Sequence, residues 1–177
     1  MTASSEMERL VKPAALSAEP VEVKASDAER AALAKRFGVT AIHELTAAVG
    51  LFRDSQAVSA NGRLEARIEQ PCAITGEEFT YTIEEPVCLR FVPVRGGRDP
   101  ESGEEVELDR EELDEIEFGG DAFDLGEAIA QTLGLAIDPY REGPDADAVR
   151  IAKGIQSDED PAPSGALAEA LAKLRED

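Results

Sequence analysis

The segment from Arg63 to Val92 alternates apolar and polar side chains almost without interruption, and this alternation constrains the fold more than any other feature of the chain. In the first half the apolar positions are even-numbered, from Leu64 to Cys72, and in the second half they are odd-numbered, from Phe79 to Phe91. Because successive side chains of a strand point to opposite faces, each half predicts a strand with one apolar face.

A two-residue turn at Thr75-Gly76 would bring both apolar faces to the same side of a hairpin. A turn of odd length would separate them, so the pattern favours an even count. The resulting pairs are Leu64 with Val87, Ile68 with Ile83, and Cys72 with Phe79.

The preceding segment, residues 41–53, alternates in the same way. A turn at Asp54-Ser55 would place Leu51 opposite Val58 and Leu45 opposite Leu64. The sequence therefore predicts three antiparallel strands near 41–53, 57–72 and 77–92. The fold class that follows is α+β, with an antiparallel β-meander or small barrel-like sheet and two or three packed helices.

Two helix starts carry capping signals. Ser26 with Glu29 fits a capping box, and that helix should stop at Gly38. Asp124 with Glu127 fits a second start, whose helix should end before Asp138-Pro139 because the residue before proline disfavours helical angles.

Three regions follow from these elements. Residues 1–20 lack periodicity and predict a flexible arm, residues 21–141 form the folded domain, and residues 142–177 are an acidic Pro/Gly linker with a short C-terminal helix. Short strands are predicted at Val21–Lys24 and Ile116–Phe118. The last helix would be capped by Ser164, with Leu167, Leu171 and Leu174 on one side.

Charge is the dominant compositional feature. The chain has 18 basic and 38 acidic residues and a formal net charge of −20. Such a chain repels bare nucleic acid and attracts basic proteins. A solvated or salt-adapted surface is the alternative explanation of the same acidity.

The acidity is concentrated between Arg98 and Glu127, which hold fourteen Asp or Glu against two Arg. The spacing lacks the EF-hand pattern of calcium ligands. A solvated loop is the simpler explanation of such a run, because charge runs are usually solvated, and a contact surface for a basic protein is the sharper hypothesis. The residues predicted to form that surface are Glu104, Glu105, Glu107, Glu111, Glu112, Asp114 and Glu115.

A local arginine patch is the competing site. In the predicted register Arg90 lies next to Arg63, on the face away from the core. No exposed aromatic side chain is predicted among the arginines for base stacking, so this is a weak RNA surface. Its members are Arg63, Arg67, Arg90, Arg95 and Arg98.

Other candidate chemistry is sparse. Cys72 should be a buried free thiol that does not pair with Cys88, and His43 should be a partly buried structural histidine. The chain shows no catalytic motif, bilayer-spanning apolar run or secretory leader. We therefore expect a cytoplasmic protein that is not an enzyme and needs no cofactor or metal.

With these elements in place, the chain resembles the bacterial YceD-type family, which is implicated in the accumulation of large-subunit ribosomal RNA. The resemblance covers residues 20–141. It is carried by Cys72 just before a hairpin turn, by the strand ending Leu89-Arg90-Phe91-Val92-Pro93, and by the acidic segment. It is also carried by Phe123-Asp124-Leu125, which opens a helix that closes near Asp138-Pro139-Tyr140.

The resemblance implies a non-enzymatic role in the synthesis, processing or stability of that RNA. Many relatives carry Cys-x-x-Cys at the turn, which suggests a metal, but here the second position is Thr75, and a structural zinc site needs four N or S ligands. The predicted partner is a basic ribosomal or RNA-processing protein held by the acidic segment. Direct contact between the arginine patch and ribosomal RNA is the alternative.

Overall fold

The computed structural model describes residues 5–94 and 115–154. Five strands form one sheet in the order β2-β3-β4-β5-β6, and two short strands, β1 and β7, form a second. The strands are β1 (Leu10–Val11), β2 (Val21–Lys24), β3 (Ala41–Asp54), β4 (Ala57–Pro71), β5 (Glu78–Pro93), β6 (Glu115–Phe118) and β7 (Phe123–Asp124). The helices are α1 (Asp27–Phe37), α2 (Leu125–Ala136) and α3 (Ala146–Lys153).

The predicted α+β class and the meander of β3, β4 and β5 are confirmed. The sheet is open rather than a closed barrel. Its last strand, β6, pairs parallel to β5, with Glu115 beside Arg90 and Phe118 beside Pro93. The sheet is therefore mixed, and within the described residues the side chains on one of its faces are mostly exposed.

The registers of both hairpins differ from the prediction by two residues. Leu64 pairs with Glu85 rather than Val87, and Ala47 rather than Leu45 faces Leu64. A shift of two preserves which side chains face the core, because the side-chain period of a strand is two. The apolar faces therefore coincide as predicted, although the individual pairs were wrong.

The turns explain the two shifts. The first reversal lies at Ser55-Gln56, one residue later than predicted, with Ser55 in the left-handed region at φ 56°. The second is a four-residue turn, since the Cys72 N–H donates to the Glu77 carbonyl and the Gly76 N–H to the Cys72 carbonyl. Both turns keep the even count that the pattern required.

One face of the sheet carries the core. The inward side chains of β3, β4 and β5 pack with Leu33 of α1 and with Leu125, Ile129 and Leu133 of α2 in a single cluster. Phe91 of β5 stacks on Phe123 with ring centroids 4.1 Å apart. The described helices therefore cover one side of the sheet only.

The helix boundaries agree with the sequence signals. The Ser26 hydroxyl accepts a hydrogen bond from the Glu29 N–H, and the Glu29 carboxylate accepts one from the Ser26 N–H, which completes the capping box. Gly38 ends α1 in the left-handed region at φ 71°. Asp124 caps α2, with its carboxylate accepting from the N–H groups of Gly126 and Glu127.

The flexible-arm prediction fails for the described part of residues 1–20. Met7 is fully buried, and Leu10 and Val11 pair with β7. The Arg9 guanidinium binds both oxygens of Glu29, at 2.7 and 3.0 Å, and lowers the pKa of Glu29 to about 2. These contacts lie far apart in sequence, so local periodicity could not reveal them.

The linker prediction also differs from the structure. Residues 146–153 form α3, Ala146 is buried, and Gly143 packs against Phe79 and Cys72. The packed region therefore continues past residue 141. The C-terminal helix predicted at Ser164 lies outside the described residues.

His43 is not the inward, partly buried histidine that alternation predicts. The register shifts between Ile42 and Glu44, so His43 is the extra residue of a β-bulge. Its side chain is exposed, and its Nε2 atom lies 2.7 Å from a carboxylate oxygen of Glu69.

Candidate partner-binding surface

The predicted acidic surface is described at one position only. Glu115 begins β6, and its Oε1 atom lies 3.4 Å from Nε of Arg90. The remaining six residues lie outside the described part of the chain: Glu104, Glu105, Glu107, Glu111, Glu112 and Asp114. The described residues on either side of this part of the chain, Val94 and Glu115, both lie near the end of β5.

The arginine patch is not assembled as predicted. Arg63 pairs with Pro86, and Arg90 pairs with Ser59, four residues earlier than Arg63 on the same strand. At about 3.3 Å per residue, the two positions are about 13 Å apart along the sheet. Arg67 is exposed opposite Thr82. Arg95 and Arg98 fall among the residues that are not described.

The carboxylates of the chain itself engage these arginines. Arg63 binds Glu84 at 2.9 Å, and Arg90 lies between Asp54, at 3.5 Å, and Glu115, at 3.4 Å. The same holds elsewhere in the described ranges, where five further cations form ion pairs: Arg9, Lys12, Arg30, Arg36 and Arg150. Seven of the thirteen Lys and Arg residues in the described ranges are therefore already engaged by carboxylates of the chain, including two of the three patch arginines described, Arg63 and Arg90.

The mostly exposed side of the sheet, which we call the open face, carries a residue that sequence reasoning missed. Phe52 is 61% exposed there, in the same cross-strand row as Ser59 and Arg90. The even parity of Phe52, opposite to that of Leu51, was the signal in the sequence that could have found it. An exposed aromatic side chain therefore shares the cross-strand row of Arg90, with Ser59 between the two.

The turn position Cys72 forms an unusual contact set. Its Sγ atom accepts hydrogen bonds from the backbone N–H groups of Ile74 and Thr75, both at 3.4 Å, and of Gly143 at 3.2 Å. Hydrogen bonding by the Thr75 side chain, followed by the N–H groups of Gly143 and Thr75, lowers the pKa of Cys72 to about 7. The Cys72 sulfur therefore connects the hairpin turn to the segment that follows α2.

The lowered pKa of Cys72 predicts that the free energy of unfolding depends on pH. Because the pKa of Cys72 is lower in the folded chain than in the unfolded one, its contribution is complete above the unfolded value, near 9, and is lost as the pH falls through about 7. Urea midpoints of the wild type should therefore rise between pH 7 and pH 9 relative to those of Cys72→Ser. Parallel pH profiles for the two proteins would contradict this assignment.

Further contacts fasten the same segment to the hairpin. Gln70, which is buried, donates to the Asp138 carbonyl at 2.9 Å and accepts from the Tyr81 hydroxyl at 2.9 Å. The guanidinium of Arg141 lies 4.2 Å from the Tyr81 ring centroid. The end of α2 is thereby fixed to β4 and β5.

The other positions of the family pattern have structural roles. Besides capping α2, Asp124 accepts the Arg9 N–H at 2.8 Å, which ties the N-terminal segment to the helix. Leu125 is fully buried, and Pro139 follows the end of α2 on the surface. These residues maintain the fold rather than forming a cleft.

Within residues 5–94 and 115–154 there is no cluster of three or more His, Cys, Asp or Glu side chains that could hold a metal ion. The helices of those ranges include none with the length and apolarity needed to cross a membrane.

Fold and surface together define an acidic α+β domain built on an open mixed sheet. The model of the family described as large ribosomal RNA subunit accumulation protein YceD matches residues 60–173, which is more than half of the chain. The chain belongs to the YceD family, as its resemblance predicted. Comparison with curated proteins and with solved structures gives no match.

The family description connects the chain with accumulation of the large-subunit ribosomal RNA. The matched region runs from β4 to α3 and continues beyond the described residues. It therefore contains the β4–β5 hairpin, the acidic segment and α2, the three features on which the resemblance rested.

Proposed function

We propose that this chain supports accumulation of large-subunit ribosomal RNA as a non-enzymatic cytoplasmic factor that binds a basic ribosomal or RNA-processing protein through its acidic segment. The observation that carries the proposal is the charge arrangement. The chain has 38 acidic against 18 basic residues, and its own carboxylates engage most of the arginines described.

This arrangement favours a basic protein over naked RNA. Binding to a phosphate backbone rests on Lys and Arg that release counterions from the nucleic acid. Here Arg63 and Arg90 would first have to leave Glu84 and Glu115. A basic protein instead gains from the excess of carboxylates, which also speeds its association.

Direct RNA binding is the second candidate, and one observation favours it. Phe52 is exposed in the cross-strand row of Arg90, with Ser59 between them, and exposed aromatic rings and arginines on one sheet face are groups that proteins use to bind unpaired bases.

A pull-down tests the first candidate. The full chain is immobilised and incubated with the purified protein fraction of large ribosomal subunits, at about 0.05 M and about 0.5 M salt, because screening weakens surface charge attraction over this range. We expect a basic protein to be retained at low salt only. A variant with Gln or Asn at residues 104, 105, 107, 111, 112, 114 and 115 should retain much less. Retention of no basic protein at low salt would refute the proposal.

A gel shift separates the two candidates. Fragments of ribosomal RNA are mixed with the wild type and with the triple variant Arg63→Glu, Arg67→Glu, Arg90→Glu. We expect no shift with either protein at near-physiological salt. A shift by the wild type that the triple variant abolishes would favour direct RNA binding.

A further inference from the structure

The open face has two chemically different ends. Toward the start of β3, cross-strand rows consist of charged and hydroxyl side chains, such as Glu44 with Arg67 and Thr82. Toward the end of β3 most of the side chains are small or apolar, and we call this region the apolar end. Two arginines share its rows, and both engage carboxylates of the chain: Arg63 binds Glu84, and Arg90 lies between Asp54 and Glu115. Its members are Ala48, Gly50, Phe52, Asn61, Pro86 and Cys88.

The apolar end is exposed. Phe52, Asn61, Pro86 and Cys88 all face solvent in the described chain. The Phe52 ring lies back over Gly50, since a Cβ atom added at Gly50 would be 3.1 Å from Cε2 and 3.3 Å from Cζ of Phe52. Lack of a side chain at Gly50 thus lets the ring lie flat along the strand, where it presents a broad apolar surface.

Carboxylates border this surface. Asp54 follows the end of β3, and Glu115 and Glu117 occupy the edge strand on the same side as Arg90. Arg90 itself lies between Asp54 and Glu115, so its charge is balanced. On the opposite edge, Glu22 pairs with Ala48. Carboxylates therefore outnumber arginines around the exposed aromatic ring.

We propose that the apolar end of the open face binds a basic polypeptide segment that carries an apolar side chain between its Lys or Arg residues. The inference rests on the proposed function and adds to it a second contact area on the sheet, which adjoins the acidic segment at Glu115 and Glu117. The apolar side chain covers Phe52 and Gly50, and the flanking cations meet Glu22, Asp54 and Glu117.

Charge selects this occupant over the others. A second copy of the chain would bring two strongly acidic faces together, at a net charge of −20 each. RNA would meet the carboxylate border around Phe52. A basic segment is the occupant that gains from both the ring and its surroundings.

The test uses a fluorescein-labelled 12-residue peptide that alternates Lys with Leu, and a matched peptide that alternates Lys with Ser. We expect anisotropy to show that the full-length chain binds the Lys/Leu peptide more tightly. Phe52→Ala should weaken that binding on the order of tenfold, the scale of a buried aromatic contact. Cys88→Lys, which places a cation inside the apolar end, should weaken it further.

Tyr140→Ala is the matched control, because Tyr140 is 80% exposed and lies after α2, outside the sheet. It should leave peptide binding unchanged. Equal losses for Phe52→Ala and Tyr140→Ala, or no loss for Phe52→Ala and Cys88→Lys, would overturn the inference.

Two further outcomes separate this inference from the proposed function. If neutralising the acidic segment abolished binding of the Lys/Leu peptide while Phe52→Ala and Cys88→Lys did not, the inference would be overturned and the proposed function would stand. Tighter binding of a 12-nucleotide single-stranded RNA than of the peptide, lost in Phe52→Ala, would identify the face as a nucleic-acid surface and overturn the inference.

Discussion

Gly62→Ala should destabilise the chain by about 3 kcal/mol or more, at the upper end of what overpacking costs. A Cβ atom at Gly62 would lie 2.1 Å from the Ala48 carbonyl oxygen and 2.8 Å from Cα of Val49. Both neighbours are backbone atoms of the adjacent strand, so the clash can be relieved only by moving β3 away from β4. That movement would disturb pairing at the centre of the sheet.

Urea denaturation at pH 7 measures this effect. Asn61→Ala is the control, since Asn61 is the exposed neighbour in the same strand, and surface changes of this kind shift stability by about 0.5 kcal/mol or less. If Gly62→Ala were as stable as Asn61→Ala, the close approach of the two strands, and with it the observed register, would be wrong.

Phe91→Ala should cost about 3–5 kcal/mol, the range for removing a buried aromatic side chain. Phe91 is 1% exposed and stacks on Phe123, which is itself buried beside α2. Truncation would leave a cavity between β5 and the start of α2, where the sheet and the helical layer meet. The loss should therefore appear in both far-ultraviolet dichroism and the urea midpoint.

Phe52→Ala supplies the comparison for this prediction. The same chemical change at an exposed position should alter stability by about 0.5 kcal/mol or less. A large loss of stability for Phe52→Ala would show that its ring supports the fold, and a small loss for Phe91→Ala would contradict its place in the core.

The sequence predicted most of the architecture, because the alternation of apolar and polar residues shows on which face of a strand each side chain lies. Cys72 was correctly expected to be buried and Cys88 to be exposed. The alternation could not predict the register of the strands, because pairs shifted by two residues satisfy the same alternation. The four-residue turn closed on Cys72 and Gly76 decides the register, and its length is fixed by side-chain and backbone hydrogen bonds.

Long-range packing was equally hidden. Met7 is buried against elements more than a hundred residues away in the sequence. The carbonyl oxygen of Met7 packs against Gly126, where an added Cβ atom would lie 1.9 Å from that oxygen. The bulge at His43 breaks alternation at one residue, so the histidine turns outward. Neither feature leaves a periodic trace in the sequence.

The candidate site depended on register in the same way. The predicted arginine patch required Arg90 beside Arg63, and the shift of two residues separates them. The parity of Phe52 predicts that its side chain points away from the core. Its exposure to solvent depends also on what covers that face, and this became visible only in the described residues of the structure.

The account is tested most directly by the level of mature large-subunit ribosomal RNA in cells that lack the chain. These cells are complemented with the wild type or with the variant neutralised at residues 104, 105, 107, 111, 112, 114 and 115. A charge-matched control carries Gln or Asn at seven exposed positions elsewhere: Glu8, Glu19, Glu44, Glu65, Glu77, Glu78 and Asp145.

With equal amounts of all three proteins, we predict that the wild type and the control variant restore the RNA and that the variant neutralised in the acidic segment does not. Full restoration by the variant neutralised in the acidic segment would contradict the central claim that this segment holds the partner.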